Sequence, residues 1–340
     1  MPPELKIFGA LIGLVASGAI ALQTATPAQA ATGRASDSAG SATVGTAAYS
    51  APSNAIYVSK SGSDSNPGSL AAPVGTLTKA LTLAGDGSTI VMRGGTYNES
   101  VAVYKDVTIQ NYPNETVWLD GTTPVSGWVQ DGSTWRHDGW TVRFDHSPTY
   151  TKGAADSTTP GWQFVDTTNA PMAAYPDAVW INGKPMWQVK SKSLVTAGTF
   201  YLDESTSKLY VGTNPSSASV VASNLAQAMN IRAAGVTVRG IGFRRYAPSV
   251  WHVGAITAEK ANIAFENVRI SEMATTGLSV QSSGASLRKV TVDNNGMLGI
   301  NGRYADNLVM DGVLSTANNT QHFNVAPVSG GVKLGSTRGV

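Results

Sequence analysis

Lys333, Ser279 and Asn301 occupy one repeating position of a 340-residue chain, and that position is where the sequence best supports chemistry. An outward amine can act as a general base, and a hydroxyl and an amide beside it can hydrogen-bond a polar ligand. His322 lies shortly before Lys333, and Arg303 follows Asn301 closely. Carboxyl chemistry is less well supplied. Asp293, Asp306, Asp311, Glu266 and Glu272 are the nearby acids, and they form no obvious pair of the kind a two-carboxyl mechanism needs. The chain has no cysteine, which excludes thiol catalysis and a disulfide framework. Plainer roles fit the same residues: Lys333 as a solvated strand lysine, His322 as a loop surface group, Arg303 as part of a corner.

The repeat is what places these residues. Gly254-Ala255-Ile256, Gly277-Leu278-Ser279-Val280 and Gly299-Ile300-Asn301 start 23 and 22 residues apart. Val268-Arg269-Ile270, Val290-Thr291-Val292 and Val313-Leu314-Ser315 advance by 22 and 23 residues. A third series runs through Asn262 to Phe265, Ser286 to Arg288 and Asn307 to Met310. Two phases agreeing on one period mean coil stacked on coil, with three short strands in each. Aligning Gly277, Gly299 and Gly331 turns Leu278, Ile300 and Val332 inward and projects Ser279, Asn301 and Lys333 outward in one column. The last step is 32 residues, so its surplus forms a loop from Asn318 to Ser329 that carries His322 and builds one wall of a groove. Asn294 and Asn295 recur as Asn318 and Asn319, 24 residues on, a spacing suited to a ladder of stacked amides.

Ahead of the coils the chain changes character several times. Ile7 to Leu22 is an apolar run followed by Ala28-Gln29-Ala30, which reads as a secretory leader (1–30) cleaved after Ala30. An uncleaved anchor is the alternative, but the run is shorter than the roughly 20 residues a spanning helix needs, so no membrane span is expected after cleavage. Residues 31–54 are almost wholly Ala, Ser, Thr and Gly and read as a disordered linker. Ala55 to Ser59 opens the ordered part as a strand, and Leu77, Ala80, Leu81 and Ala84 mark one face of a short helix. Residues 121–225 lose the period and hold six of the eight tryptophans. Val179 to Pro185 reads there as a hairpin on Asn182-Gly183, and Thr199 to Val211 as another. This segment is expected to be a small antiparallel β insertion whose tryptophans either stack on sugar rings or form its own core.

Tyr57-Val58-Ser59, Gly62-Ser63-Asp64, Asn66-Pro67-Gly68, Lys79-Ala80, Gly87 to Val91 and Arg93-Gly94-Gly95-Thr96-Tyr97 together resemble the opening of secreted pectate-lyase-like proteins. The resemblance covers residues 56 to about 120, and the coils of 226–340 are similar to the same superfamily. It implies an all-β, right-handed parallel β-helix that begins with a cap and first coils (55–120), the short helix capping the open end of the first coil. It also implies a secreted protein acting on polysaccharide as a lyase, hydrolase or epimerase. In a lyase of this kind Lys333 would be the base that removes the proton next to a uronate carboxylate. Calcium is implied by the resemblance alone, since no Asp cluster of the calcium-dependent lyases is visible and no metal ligand or other cofactor is identified. A non-catalytic extracellular β-helix that binds glycans is the alternative.

Net charge is +2, from 24 Lys plus Arg against 22 Asp plus Glu, without the clustered basic excess of a nucleic-acid binder. The final residues open a new coil and stop inside it. The expectation is therefore a fragment of a longer protein, with pairing through the open coil as the competing idea.

Overall fold

A computed structural model describes residues 39–340, so the expected leader and the first residues of the linker lie outside the described part. The chain winds into a right-handed parallel β-helix with three sheets. The first sheet contains Ile56–Val58, Ser88–Met92, Val107–Asn111, Thr237–Arg239, Ala264–Glu266, Ser286–Arg288 and Val309–Asp311. The second contains Gly95–Tyr97, Val117–Asp120, Gly242–Arg244, Arg269–Ser271, Thr291–Asp293 and Leu314–Thr316. The third contains Val101–Val103, Met229–Ile231, Ile256–Ala258, Thr276–Val280, Leu298–Arg303 and Gly330–Gly335.

Most strands of the first two sheets are three residues long because a coil needs only one inward side chain from each. In the first sheet Ile109, Val238, Phe265, Leu287 and Met310 pair in register, and in the second Leu119, Phe243, Ile270 and Val292 do the same. All but Met310 are fully buried in one continuous core. Each contributes about 1.5–3 kcal/mol by leaving water, which is why the apolar period survives in the sequence. Corners need left-handed backbone instead. Asn262, Asn267, Asn294, Asn307 and Asn319 supply it with φ of 59, 52, 56, 57 and 71°, a conformation asparagine tolerates better than most residues.

The helix Leu77–Leu83 starts at Thr76, whose hydroxyl accepts from Lys79 N at 3.0 Å. Its buried Leu77 and Ala80 join Val58 and Ile90 in the main core. Among the described residues no helix is long and apolar enough to cross a membrane.

The described part of the expected linker differs from expectation. Residues 39–54 run along the corners between the first and second sheets. Gly40 N donates to Gly312 O (2.7 Å), Ser41 N to Thr291 Oγ1 (2.8 Å) and Ala42 N to Asn267 Oδ1 (2.6 Å), while Ala47 O accepts from Asn114 N at 2.8 Å. Arg239 stacks 4.5 Å above the Tyr49 ring. Composition misleads because this strap is held by backbone hydrogen bonds to successive coils and needs little apolar surface of its own.

The irregular segment leaves the coils after Val117–Asp120 and returns at Met229–Ile231, at a corner between the second and third sheets. It builds two small sheets. One holds Lys184–Pro185, Val179–Ile181, Val220–Ser223 and Thr122–Pro124, and the other Trp187–Gln188, Thr199–Asp203, Lys208–Val211, Thr134–Asp138 and Val129–Asp131. Pairing is antiparallel except between Trp187–Gln188 and Thr199–Asp203. The tight turn lies on Asn182 (φ 50°) and Gly183 (φ 74°), as the sequence indicates. Trp140, Trp128 and Trp135 pack into the core of these sheets and Trp180 is buried, so four of the six tryptophans here are structural.

Candidate functional site

The same corner type recurs in every later coil, and its residues stack beneath the insertion. Asn295 is fully buried there. Its Oδ1 accepts from Met273 N (3.1 Å) in the coil before, and its Nδ2 donates to Asn318 Oδ1 (2.8 Å) in the coil after. The amide ladder read from the spacing therefore exists, through Asn295 and Asn318. Gly296 follows at a point where any Cβ would collide with the Ala274 carbonyl, so the coils approach closely. These constraints hold Glu272, Ala274, Asn294, Thr320 and Gln321 in one row.

Facing that row across a cleft of about 410 Å³ stands the insertion, with Asp177, Trp180, Trp187 and Gln188 on its wall. Trp180 is buried, and its Nε1 has no hydrogen-bond partner among the described residues. Arg245 lies 5.1 Å from the Trp180 ring centre and bonds Glu272 Oε2 through Nε at 2.5 Å, which orients that carboxylate. Trp187 is half exposed at the mouth, 5.5 Å from the His322 ring. The lengthened corner closes one end. Asn324 N donates to Phe164 O (2.9 Å) and its Nδ2 to Gln163 O (3.0 Å), while Phe323 and Val328 pack with Val165, Ala173 and Val250.

The column expected to be the site is in the expected register but not in the expected state. Ser279 pairs with Asn301 and Asn301 with Lys333. Ser279, however, is fully buried, and its Oγ accepts from Gln281 Nε2 and Asn301 Nδ2, both at 3.3 Å. Lys333 Nζ donates to Val325 O (2.8 Å) and Pro327 O (2.6 Å). Burial lowers its pKa, yet two carbonyls hold its protons, so the amine ties down the loop and is not poised to accept a proton. Strand alternation gives the face correctly; it carries no information about the loop that folds over that face. Arg303 is exposed beside Tyr304, 5.1 Å from its ring, and is not part of the cleft lining. His322 lies 5.5 Å from the Trp187 ring and, like Arg303, is not part of the cleft lining.

Behind the insertion wall Asp177 also borders a second hollow of about 340 Å³ with His146, Gln188, Lys190 and Glu204. His146 Nε2 lies 3.5 Å from Asp177 Oδ2 and 3.4 Å from Glu204 Oε1. Burial alone disfavours a charge on His146, but Asp177 and Glu204 beside it raise its pKa overall. These residues escape sequence reading because the insertion has no period to align them. The one available signal is the hairpin pattern that brackets Asp177, Gln188 and Glu204.

Residues 60–138 match a family described as a protein of unknown function, DUF1565. A stretch of 72 residues is 40% identical to the uncharacterized protein YwoF of Bacillus subtilis (strain 168), covering 19% of this chain and 15% of that protein. A solved structure of XylC in complex with xylose is similar in fold, with a TM-score of 0.67 and 16% identity over 82% of this chain and 56% of that one. The pectate lyase Pel9A matches at a TM-score of 0.35 and 12% identity, over 82% of this chain and 58% of its own. What the likeness to XylC shows is the fold, a parallel β-helix. The chain spans about half the length of the two solved relatives and a small part of YwoF.

Proposed function

We propose that this chain belongs to a secreted carbohydrate-active protein that binds an extracellular polysaccharide in the cleft between the β insertion and the stacked corners. The observation that carries this reading is the composition of the cleft: the half-exposed Trp187 ring on one wall faces the amides of Asn294 and Gln321, the Thr320 hydroxyl and the oriented Glu272 carboxylate on the other. Apolar ring faces suit the C–H faces of sugars, and the polar row suits their hydroxyls. The likeness in fold to XylC, whose structure holds xylose, agrees with a sugar ligand.

Within that reading the chemistry of the cleft favours hydrolysis over elimination. Lys333, the amine that elimination would use, is engaged by two carbonyls, whereas Glu272 lines the cleft with its Oε2 bonded to Arg245 and suits a base that activates water at a glycosidic carbon. The test is a panel of xylans, pectins and arabinans assayed for binding, for new reducing ends and for the ultraviolet absorbance of unsaturated uronates. Binding with reducing ends supports the hydrolase. Glu272→Gln should then lower their release by about 10²-fold. Unsaturated products would restore the lyase, binding without products would favour a glycan-binding β-helix, and binding by no polysaccharide would reject the cleft as a glycan site.

A further inference from the structure

We propose that His146, Asp177 and Glu204 bind a single first-row divalent cation, for which zinc is the natural probe. The three ligand atoms lie within 4.8 Å of one another although their residues come from separate parts of the insertion. The separations of His146 Nε2 from Asp177 Oδ2 and Glu204 Oε1 are 3.5 and 3.4 Å. A tetrahedral ion with ligands at about 2.1 Å places them about 3.4 Å apart, so two of the three spacings already suit such an ion.

Burial supplies the independent observation. The Asp177 side chain is only 7% exposed, and beyond the His146 imidazole 3.5 Å away neither of its oxygens nor His146 Nε2 has a hydrogen-bond partner among the described residues. A carboxylate withdrawn from water without hydrogen bonds is strongly unfavourable, and a directly coordinated cation would remove that penalty. Gln188 Oε1, another buried oxygen without a partner, is on the lining of the same hollow and can serve a bound ion or its water. Each residue is anchored. Asp177 sits two positions before the strand Val179–Ile181, and Gln188 ends Trp187–Gln188. Glu204 lies in a turn where Asp203 Oδ1 accepts from Ser205 N and Ser205 Oγ. The Ser249 hydroxyl of the coil holds the Asp145 carbonyl next to His146. One imidazole with two carboxylates suits zinc or manganese better than calcium, which takes six to eight oxygens.

The proposal is independent of the glycan reading, because its readout is metal binding alone. Chelator-treated protein is titrated with ZnCl₂, and separately with CaCl₂, by calorimetry and by thermal melting. Expected are one zinc per chain, a rise in melting temperature, and a loss of affinity of roughly tenfold or more in both His146→Gln and Asp177→Asn. Far-ultraviolet circular dichroism confirms that both variants retain the β-helix; if either unfolds, Glu204→Gln at the exposed ligand carries the same test. Absence of stoichiometric zinc binding, equal zinc affinity in wild type and the folded variants, or tighter binding of calcium than zinc would overturn the proposal.

Discussion

Asn295→Ala tests the idea that the amide ladder sets the floor of the cleft. Asn295 is fully buried, and its Oδ1 is the partner of Met273 N at 3.1 Å. Alanine leaves that N–H without its partner inside the core, which costs about 1–3 kcal/mol. Loss of the 2.8 Å bond from Nδ2 to Asn318 Oδ1 adds about 0.5–1.5 kcal/mol, since Asn318 is only partly buried and water can replace some of the bond. The Asn319 N and Thr320 N bonds to the Asn295 carbonyl are backbone interactions and survive the substitution. The expected destabilisation is therefore about 1.5–4.5 kcal/mol. Its neighbour is an internal control: Asn294 is exposed, its Nδ2 bonds Asp293 Oδ2 at 2.7 Å, and glycine keeps its left-handed backbone (φ 56°) without strain, so Asn294→Gly should lower stability by less than about 1 kcal/mol. Urea unfolding followed by circular dichroism measures both, with the wild-type slope retained as evidence of an unchanged native state. Equal effects of the two substitutions, or no effect at 295, would refute the assignment of the ladder to Asn295.

Gly296→Ala should destabilise by about 3 kcal/mol or more, because the added carbon meets the Ala274 backbone, which cannot rotate away; a melting temperature equal to wild type would show that the coils do not approach as described. Glu115→Gln probes the first coils. The Arg93 hydrogen bond holds the Glu115 carboxylate below its usual pKa despite some desolvation, so its stabilisation is present above the unfolded value of about 4.3 and is lost as pH falls through the folded value. With both side chains partly exposed, the substitution should lower stability near neutral pH by about 1 kcal/mol or less, and the difference should vanish in acid; a difference that grew in acid would contradict the pairing. Trp187→Ala should weaken polysaccharide binding about tenfold while leaving the fold intact, since the ring is half exposed at the mouth; affinity gel electrophoresis reads the change. Lys333→Ala should make the segment from Asn319 to Ser329 more sensitive to proteolysis without abolishing glycan cleavage; complete loss of cleavage in a folded variant would return Lys333 to the role of base.

Much of the coil architecture is legible in the residues alone. The pairs Ile270 with Val292 and Ile256 with Leu278 follow from a 22-residue period, since each coil must bring one apolar side chain inward at the same angle. Asn182-Gly183 likewise announces its turn because few other residues accept two successive positive φ values. None of the site residues expected from the sequence lines the cleft; His322 only packs near the Trp187 ring. Strand alternation puts Ser279 and Lys333 on the right face, but a loop from the same coil and the docked insertion decide whether that face is open. The strap of residues 39–54 is hidden for a related reason: its partners, Thr291 and Gly312, lie about 250 residues or more away along the chain.

By itself the sequence determined the stacked coils, their register, the short helix and the place where the period breaks, because repeated local patterns dictate repeated local geometry. Only the tertiary structure decided where a ligand can sit. The cleft unites Glu272 and Asn294 of two coils with Asp177 and Trp187 of the insertion, and the hollow behind it unites His146, Asp177 and Glu204. No spacing encodes either meeting, since both depend on how an aperiodic insertion docks against a periodic stack.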